Sequence, residues 1–516
     1  VGSNALGATT TASYNIAIGS DTLTTNTSGA SNTAVGHSVM TLNTTGANNV
    51  AVGYNALDAN TTASNNAAVG SGALGANTTG TGNVSVGTNS MVLNTEGSYN
   101  ATVGYSALDA NTTGANNTAI GYATLGANTT ASNNVAVGYN ALNDNTTADS
   151  NTAVGANALA TNTTGTLNNA FGVNSLDANT TGNTNVAMGY AALGSNTTAS
   201  ANVAIGHDAM VANTTGANNT AVGFQALDAN TTGTYNTAVG WSALSANTTA
   251  NANTAVGESA LINNTTGASN TAVGQSALNA NTTGTPNVAV GFEAMKANTT
   301  GASNVAVGYN ALTANTTAAS NVAVGSSALA ANTTGTFNIG IGSSAVDGLT
   351  TGIQNIGIGG NVMGGAAITG NFNVAIGQNA MYLLTTGQYN VGIGVHALDA
   401  MTTASYNTAV GTHALGVNTT GASNVAVGAY ALDANTTAAN NAAFGYDALG
   451  ANTTGAGNTA LGAYALDANT TAANNVAVGY NALTGNIEGA DNVAVGYNAL
   501  PVNTVAGSTG VGANAL

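Results

Sequence analysis

A glycine preceded by a large apolar residue recurs every 17 residues along this 516-residue chain. The spacing is strict from Gly2 to Gly359, a step of 18 leads to Gly377, the period of 17 continues to Gly496, and a step of 16 reaches Gly512, which makes 31 copies. A copy of this length is too short for two useful helices, and Thr, Asn, Gly and Val dominate it instead of helix formers. We therefore predict an all-β chain, a parallel β-solenoid of about 31 coils with 17 residues in each coil.

The composition restricts the classes of partner. Apolar residues make up 43% of the chain and charged residues only 4%, with Lys296 as the single lysine, no arginine and a formal net charge of −17. Nucleic acid and anionic membranes both require a Lys/Arg surface, so neither is expected as a partner. No apolar run approaches the length of a membrane span, which predicts no membrane insertion by this segment. The absence of cysteine excludes disulfides and thiolate metal sites.

The consensus predicts what each coil buries. Counted from the recurring glycine as position 0, it has Asn at −4, Val or Thr at −3, Ala at −2, Val or Ile at −1, Ala at +3, Leu at +4 and Asn-Thr-Thr-Gly/Ala from +7 to +10. The alternation before the glycine predicts one short strand, a second short strand is expected around +4, and Asn-Thr-Thr supplies the turn. We expect the large residues at −1 and +4, such as Val52 and Leu57, to form the core. The small residue at −2 predicts close approach of another backbone, either the far wall of the coil or another chain.

Three further positions carry a regular pattern. Asn occupies −4 from Asn15 to Asn492, which favours a ladder of stacked amides along the axis over a solvent-exposed turn. Position 0 is always Gly, which predicts a positive φ or no room for a Cβ. Asp at +5 never occurs in two consecutive coils, as expected if like charges about 4.8 Å apart repel each other. We interpret these Asp residues as exposed charges that favour solubility: Asp58, Asp109, Asp177, Asp228, Asp347, Asp399, Asp433 and Asp467.

The chain carries no motif for catalysis, a cofactor or a metal, so we predict no enzyme, no cofactor and no catalytic, cofactor-binding or metal-binding residues. The histidines are His37, His207, His396 and His413, and only the last two lie in neighbouring coils, without a rank of carboxylates beside them. Tyr recurs at +1, where it fits an exposed strand edge or a surface that stacks sugars: Tyr54, Tyr105, Tyr122, Tyr139, Tyr190 and Tyr309.

The Asn-Thr-Thr segment leaves several interpretations open. In 22 coils it fits the Asn-x-Ser/Thr acceptor pattern, so it indicates either turn chemistry, which we favour, or a glycosylated surface. The double row of Thr at +8 and +9 is also the kind of flat hydroxyl-and-methyl array that could order ice, although it is interrupted between Val346 and Tyr382.

The segments Asn-Thr-Ala-Val-Gly and Asn-Val-Ala-Val-Gly resemble the Asn-Ser-Val-Ala-Ile-Gly repeats of YadA-like heads in trimeric autotransporter adhesins. Longer copies, such as Asn117 to Thr130, are similar to repeats of phage and bacterial tail-fibre proteins. The resemblance covers essentially the whole chain, but the family repeat is usually shorter, and no stalk, anchor or chaperone domain is present. It implies a left-handed β-roll, three chains about a common axis, and an extracellular location on a cell surface or virion.

The domain organisation is predicted to be simple. Residues 1–516 form one array, a fragment of a longer chain, because it starts and stops in mid-repeat. Residues 337–389 are irregular, contain the one-residue insertion near Gly364, and predict a bulge or bend. We expect the shaft of an extracellular fibre, adhesin-like or tail-fibre-like, that self-associates as a homotrimer and serves as a rigid spacer and attachment surface, with a host-surface or glycan receptor as a further partner. The alternative is an ice-binding or carbohydrate-binding solenoid that uses the Thr and Tyr positions.

Overall fold

The computed structural model describes residues 1–365 and 367–516. They form two compact units, Val1–Glu258 and Ser259–Leu516. Every strand has three residues and occupies positions −3 to −1 of its coil. The first unit contains β1 Ile16–Ile18, β2 Thr33–Val35, β3 Val50–Val52, β4 Ala67–Val69, β5 Val84–Val86, β6 Ala101–Val103, β7 Thr118–Ile120, β8 Val135–Val137, β9 Thr152–Val154, β10 Asn169–Phe171, β11 Val186–Met188, β12 Val203–Ile205, β13 Thr220–Val222, β14 Thr237–Val239 and β15 Thr254–Val256.

The second unit repeats the same arrangement. Its strands are β16 Thr271–Val273, β17 Val288–Val290, β18 Val305–Val307, β19 Val322–Val324, β20 Ile339–Ile341, β21 Ile356–Ile358, β22 Val374–Ile376, β23 Val391–Ile393, β24 Thr408–Val410, β25 Val425–Val427, β26 Ala442–Phe444, β27 Thr459–Leu461, β28 Val476–Val478, β29 Val493–Val495 and β30 Thr509–Val511.

Successive strands in each unit pair in parallel, one repeat apart. Val50 pairs with Ala67, and Val52 pairs with Val69. The backbone bonds continue around the coil outside the strands, since Asn55 N donates to His37 O (3.1 Å) and Leu57 N donates to Ala73 O (3.0 Å). The predicted all-β parallel β-solenoid with a 17-residue spacing is therefore confirmed.

In the part of the chain that the structure describes, each coil from β1 to β30 contains one strand, not two. The expected second strand around +4 is wrong, because residues +1 to +6 form consecutive turns in most coils. Asn55 at +2 and Leu57 at +4 both have left-handed backbones, with φ of 53° each. A leucine pays about 1–2 kcal/mol for this conformation, and complete burial of its side chain offsets that cost. The turn thus aims +4 side chains such as that of Leu57 inward without extending the backbone.

The core lies on the opposite side of the strand from the one expected. Leu57 at +4 and Ala51 at −2 are fully buried, whereas Val52 at −1 is 36% exposed and Val50 at −3 is 42% exposed. Our assignment of −1 to the core is therefore wrong, because the middle residue of each three-residue strand is the one that points inward.

The small residue at −2 faces the far wall of its own coil. A Cβ on Gly340 would lie 3.0 Å from Ala345 O and 3.1 Å from Leu329 Cγ. Both distances are shorter than an ordinary contact, so Ala would fit here only with a small shift of its neighbours, and a larger aliphatic side chain would collide with them. Of the two alternatives for this position, the far wall of the coil is the correct one.

Two internal rows of asparagine line the coils. At +7, Asn60 donates to the side-chain oxygen of Asn43 (2.7 Å) and to Ala63 O (3.0 Å). At −4, the side-chain oxygen of Asn49 accepts from the backbone N–H of Asn66 (2.9 Å), and its amide donates to Ala63 O (2.9 Å). The expected asparagine ladder at −4 is confirmed as a buried one, although its main axial bond goes to backbone, and the amide-to-amide ladder runs along +7.

The +7 ladder is replaced by an apolar row in part of the second unit. Leu349, Ile368, Leu384 and Met401 occupy this row and are fully buried. Asn332, the last amide before the replacement, has a buried side-chain oxygen without a hydrogen-bond partner. The +7 row is thus filled either by hydrogen-bonded amides or by packed apolar side chains. Where the two kinds meet, between Asn332 and Leu349, the side-chain oxygen of Asn332 lacks a donor.

The glycine at position 0 meets both predicted requirements. Gly53 has a φ of 141°, and a Cβ there would overlap the carbonyl oxygen of Gly70 in the next coil. L-residues rarely adopt this conformation, so only Gly serves at this position.

The 18-residue coil keeps the strands in register. Ile356 in β21 pairs with Val374 in β22, so the extra residue lies between the strands. Its neighbourhood includes Ala366, which lies outside the described residues. The predicted bulge or bend over residues 337–389 stays a prediction.

The described part of the chain contains no helix that is long and apolar enough to cross a bilayer.

Candidate functional site

The strands present an apolar surface to solvent. We call the outward side chains at −3 and −1 the strand face. In β17 to β23 of the second unit, every one of these side chains is Val or Ile, with no polar residue among them. A shallow groove of about 400 Å³ lies on this face, lined by Phe337, Ile339, Gln354, Ile356, Phe372 and Val374. Contiguous exposed apolar surface of this kind is typical of an interaction surface.

Aromatic rings stack from coil to coil at the turn after the glycine. Tyr105, Tyr122 and Tyr139 at +1 form one ladder, with ring centroids 5.5 and 5.4 Å apart and interplanar angles of 9° and 12°. Other ladders are Tyr190–His207–Phe224–Trp241 in the first unit and His396–His413–Tyr430 in the second. Within a ladder the neighbouring rings cover each ring face, so a free face occurs only where a ladder ends.

The tyrosines predicted at +1 are exposed, as expected, with Tyr122 at 51%. The structure joins three of the six into the ladder above, and it stacks Tyr54 on His37, Tyr190 on His207 and Tyr309 on Phe292. The sequence interpretation missed this stacking, although rings at the same position of consecutive coils were the available signal.

The carboxylates at +5 are half-buried. The prediction that they are fully exposed charges is therefore wrong. Burial raises the pKa of Asp58 above its usual value, and the same cause acts on Asp109, Asp177, Asp228, Asp347 and Asp433. The side-chain oxygen of Asp177 lies 3.4 Å from where a Cβ of Gly194 would stand. The carboxylate therefore leans over position +5 of the next coil.

The sequence shows the same pairing in every case. Each of the eight Asp residues at +5 is followed at +5 of the next coil by Gly, Ser or Thr. Where that residue is Thr484, its hydroxyl donates to Asp467 (2.7 Å). The next coil thus supplies either space or a hydrogen-bond donor for the carboxylate. This requirement is a second reason, beside charge repulsion, why Asp does not occur at +5 of two consecutive coils.

The histidines lie at the turn after the glycine. His396 and His413 stack at 5.0 Å, and a single carboxylate, that of Asp399, lies 2.8 Å from His396. His207 lies 3.0 Å from Asp208. Within residues 1–365 and 367–516, no group of three or more His, Cys, Asp or Glu side chains is arranged to hold a metal ion.

Most polar groups of the Asn-Thr-Thr segment form hydrogen bonds within the folded chain. Asn43 at +7 is fully buried, and its amide donates two hydrogen bonds, so the folded chain offers no free amide for a glycan at that position. The Thr44 hydroxyl at +8 donates to Thr61 O (3.0 Å), while Thr45 at +9 is exposed. A double row of free hydroxyls is therefore not presented, and one exposed row remains.

No protein-family model matches the chain, and no curated protein matches it.

Proposed function

We propose that this chain is the shaft of an extracellular fibre, adhesin-like or tail-fibre-like, located on a cell surface or virion. It acts as a rigid spacer and attachment surface. The observation that carries the proposal is the uniform register within each unit. The same kind of backbone bond and the Asn bond at −4 join successive coils, and the Asn ladder at +7 adds to them where Asn is present. The stability of such a stack is a sum of nearest-neighbour terms, which suits an extended support.

The strand face supports self-association as a homotrimer. The Ala row, which the sequence offered as a contact between chains, is enclosed within the coil. The outward Val and Ile side chains of β17 to β23 remain partly exposed. Their burial against other copies would stabilise an assembly by about 25 cal/mol for each Å² removed from water.

Light scattering on the purified chain tests this association. We expect a mass three times the chain mass of 49.4 kDa. The triple variant Ile339→Thr, Ile356→Thr and Val374→Thr should shift toward the mass of one chain, because Thr is tolerated at −3 (as in Thr271) but weakens apolar contact. A matched control replaces exposed Thr at +9 by Ala: Thr334, Thr351 and Thr386. A native chain with the mass of one copy would refute the trimer.

Immunogold labelling of the producing cells or particles tests the location. We expect label along surface filaments. Label confined to the cell interior would refute the fibre.

The ice-binding alternative receives less support from the structure. Only the +9 hydroxyls are free, since those at +8 are bonded to backbone. A thermal-hysteresis assay of the native chain is expected to show no activity, and clear hysteresis would favour this alternative over the shaft.

A further inference from the structure

One coil in the first unit lacks the long side chains that its neighbours carry at the turn. It has Ser71 at +1, Gly72 at +2 and Gly75 at +5. A notch of about 510 Å³ opens between the flanking coils, with Tyr54 and Asp58 on one side and Val92 and Leu93 on the other. The notch lies where three positions of one turn, +1, +2 and +5, all carry a small residue.

Tyr54 forms one wall of the notch. Its ring stacks on His37 of the preceding coil, with centroids 5.6 Å apart. The next coil has Ser71 where other ladders have a ring, so no ring covers the second face of Tyr54. Tyr54 is 57% exposed, and its free face borders the notch.

Polar groups border the same space. The carboxylate of Asp58 and the amides of Asn55 and Asn89 line it. Neither amide side chain forms a hydrogen bond to any described residue, so their donors and acceptors are open to a ligand. A Cβ on Gly72 would lie 3.0 Å from the side-chain oxygen of Asn89, and one on Gly75 would lie 3.6 Å from that of Asp58. A side chain on Gly72 would therefore press against the Asn89 amide, and one on Gly75 would contact the Asp58 carboxylate.

We propose that the notch binds one neutral pyranose residue of a glycan. An aromatic face packs against the C–H groups of a sugar ring, while a carboxylate and two amides provide acceptors and donors for its hydroxyls. A mostly apolar pocket with a few convergent polar groups is the general form of a small-ligand site. The Asp58 carboxylate and the net charge of −17 disfavour acidic sugars.

The combination is confined to this coil among those with glycine at +5 after an Asp. Five other glycines at +5 also follow an Asp. In the coils of Gly126, Gly194 and Gly450, a tyrosine stands at +1 and fills the space beside the turn: Tyr122, Tyr190 and Tyr446. The coils that precede those of Gly364 and Gly416 have Ser343 and Val395 at +1, so no ring forms a wall there. The proposal concerns a local site and is independent of self-association through the strand face.

Saturation-transfer NMR on the full chain tests the site. The probes are glucose, galactose, mannose, N-acetylglucosamine and N-acetylgalactosamine, with N-acetylneuraminic acid as the acidic comparison. We expect transfer to at least one neutral pyranose. Ser71→Tyr should abolish it, because the new ring would stack on Tyr54 as Tyr122 stacks on Tyr105, and Tyr54→Ala should weaken it about tenfold or more.

The matched control is Ala156→Tyr, which adds a ring after Tyr139 at the end of another ladder and leaves the notch open. This variant should bind the sugar as the native chain does. The proposal is overturned if no neutral pyranose binds, if Ser71→Tyr binds equally well, or if tetramethylammonium displaces the sugar and binds more tightly, which would make the notch a cation site.

Discussion

The side-chain amide of Asn60 donates a hydrogen bond of 2.7 Å to the side-chain oxygen of Asn43, one coil earlier. Both residues are fully buried, and the same bond recurs along +7 in both units, for example from Asn94 to Asn77 and from Asn315 to Asn298. A buried amide without such partners costs about 1–3 kcal/mol, so the ladder holds each coil to one neighbour geometry.

Breaking the ladder in its middle should cost more than shortening it at its end. Asn298→Leu removes the donor to Asn281, whose side-chain oxygen would become unsatisfied, at an expected cost of about 1–3 kcal/mol. Asn332→Leu should cost less, because the unsatisfied oxygen merely moves from residue 332 to Asn315, and Leu349 already shows that Leu fits this row. Local opening free energies from hydrogen exchange measure both. Equal costs would contradict the ladder account.

The half-buried carboxylates should make the first unit more stable in mild acid. Burial raises the pKa of Asp58, Asp109 and Asp177 above the usual 3.8, so between 3.8 and the raised values the folded state binds more protons than the unfolded state. Stability therefore falls as pH rises through that interval and increases as pH falls through it. Replacing all three by Asn, which occurs naturally at +5 as Asn143, should reduce the pH dependence.

Thermal midpoints between neutral pH and pH of about 3.5 check this. The control replaces three exposed acids of the same unit and so makes the same charge change: Glu96→Gln, Asp144→Asn and Asp149→Asn. If the control flattens the pH dependence as much as the test variant, overall charge and not burial is responsible.

The pairing of Asp with a small residue in the next coil predicts a coupling. Gly194→Val should destabilise the local coils, because the side chain would crowd the carboxylate of Asp177, even though Val occurs at +5 elsewhere, as in Val211. Asp177→Ala should relieve part of that cost, with a coupling of about 0.5–2 kcal/mol in the double-mutant cycle. Additive effects of the two changes would show that the residues do not interact.

The period, the glycine and the register could be predicted because each depends on exact repetition. The inward side of the strand was predicted wrongly, because the alternation at Ala51 and Val52 defines two faces and the larger side chain was assumed to be the buried one. The positions that vary least from coil to coil are the ones that point inward. Positions −4 and −2 hold Asn and a small residue almost without exception, whereas −1 varies among Val, Ile, Leu, Phe and Met.

The functional surfaces were only partly readable from the sequence. The ring ladders and the pairing of Asp with Gly follow from comparing the same position in neighbouring coils. The notch at Gly72 depends on three small residues of one coil and on side chains from the coils on both sides. A consensus does not show such a feature, because it describes only what most coils share.

The most direct test of the account compares Val52→Asp with Leu57→Asp by hydrogen exchange in the surrounding coils. Leu57→Asp places a carboxylate in the core and should open those coils, with a loss of about 4 kcal/mol or more. Val52→Asp changes an outward side chain and should cost about 1 kcal/mol or less. Strong opening by Val52→Asp, with Leu57→Asp tolerated, would contradict the arrangement of the coil.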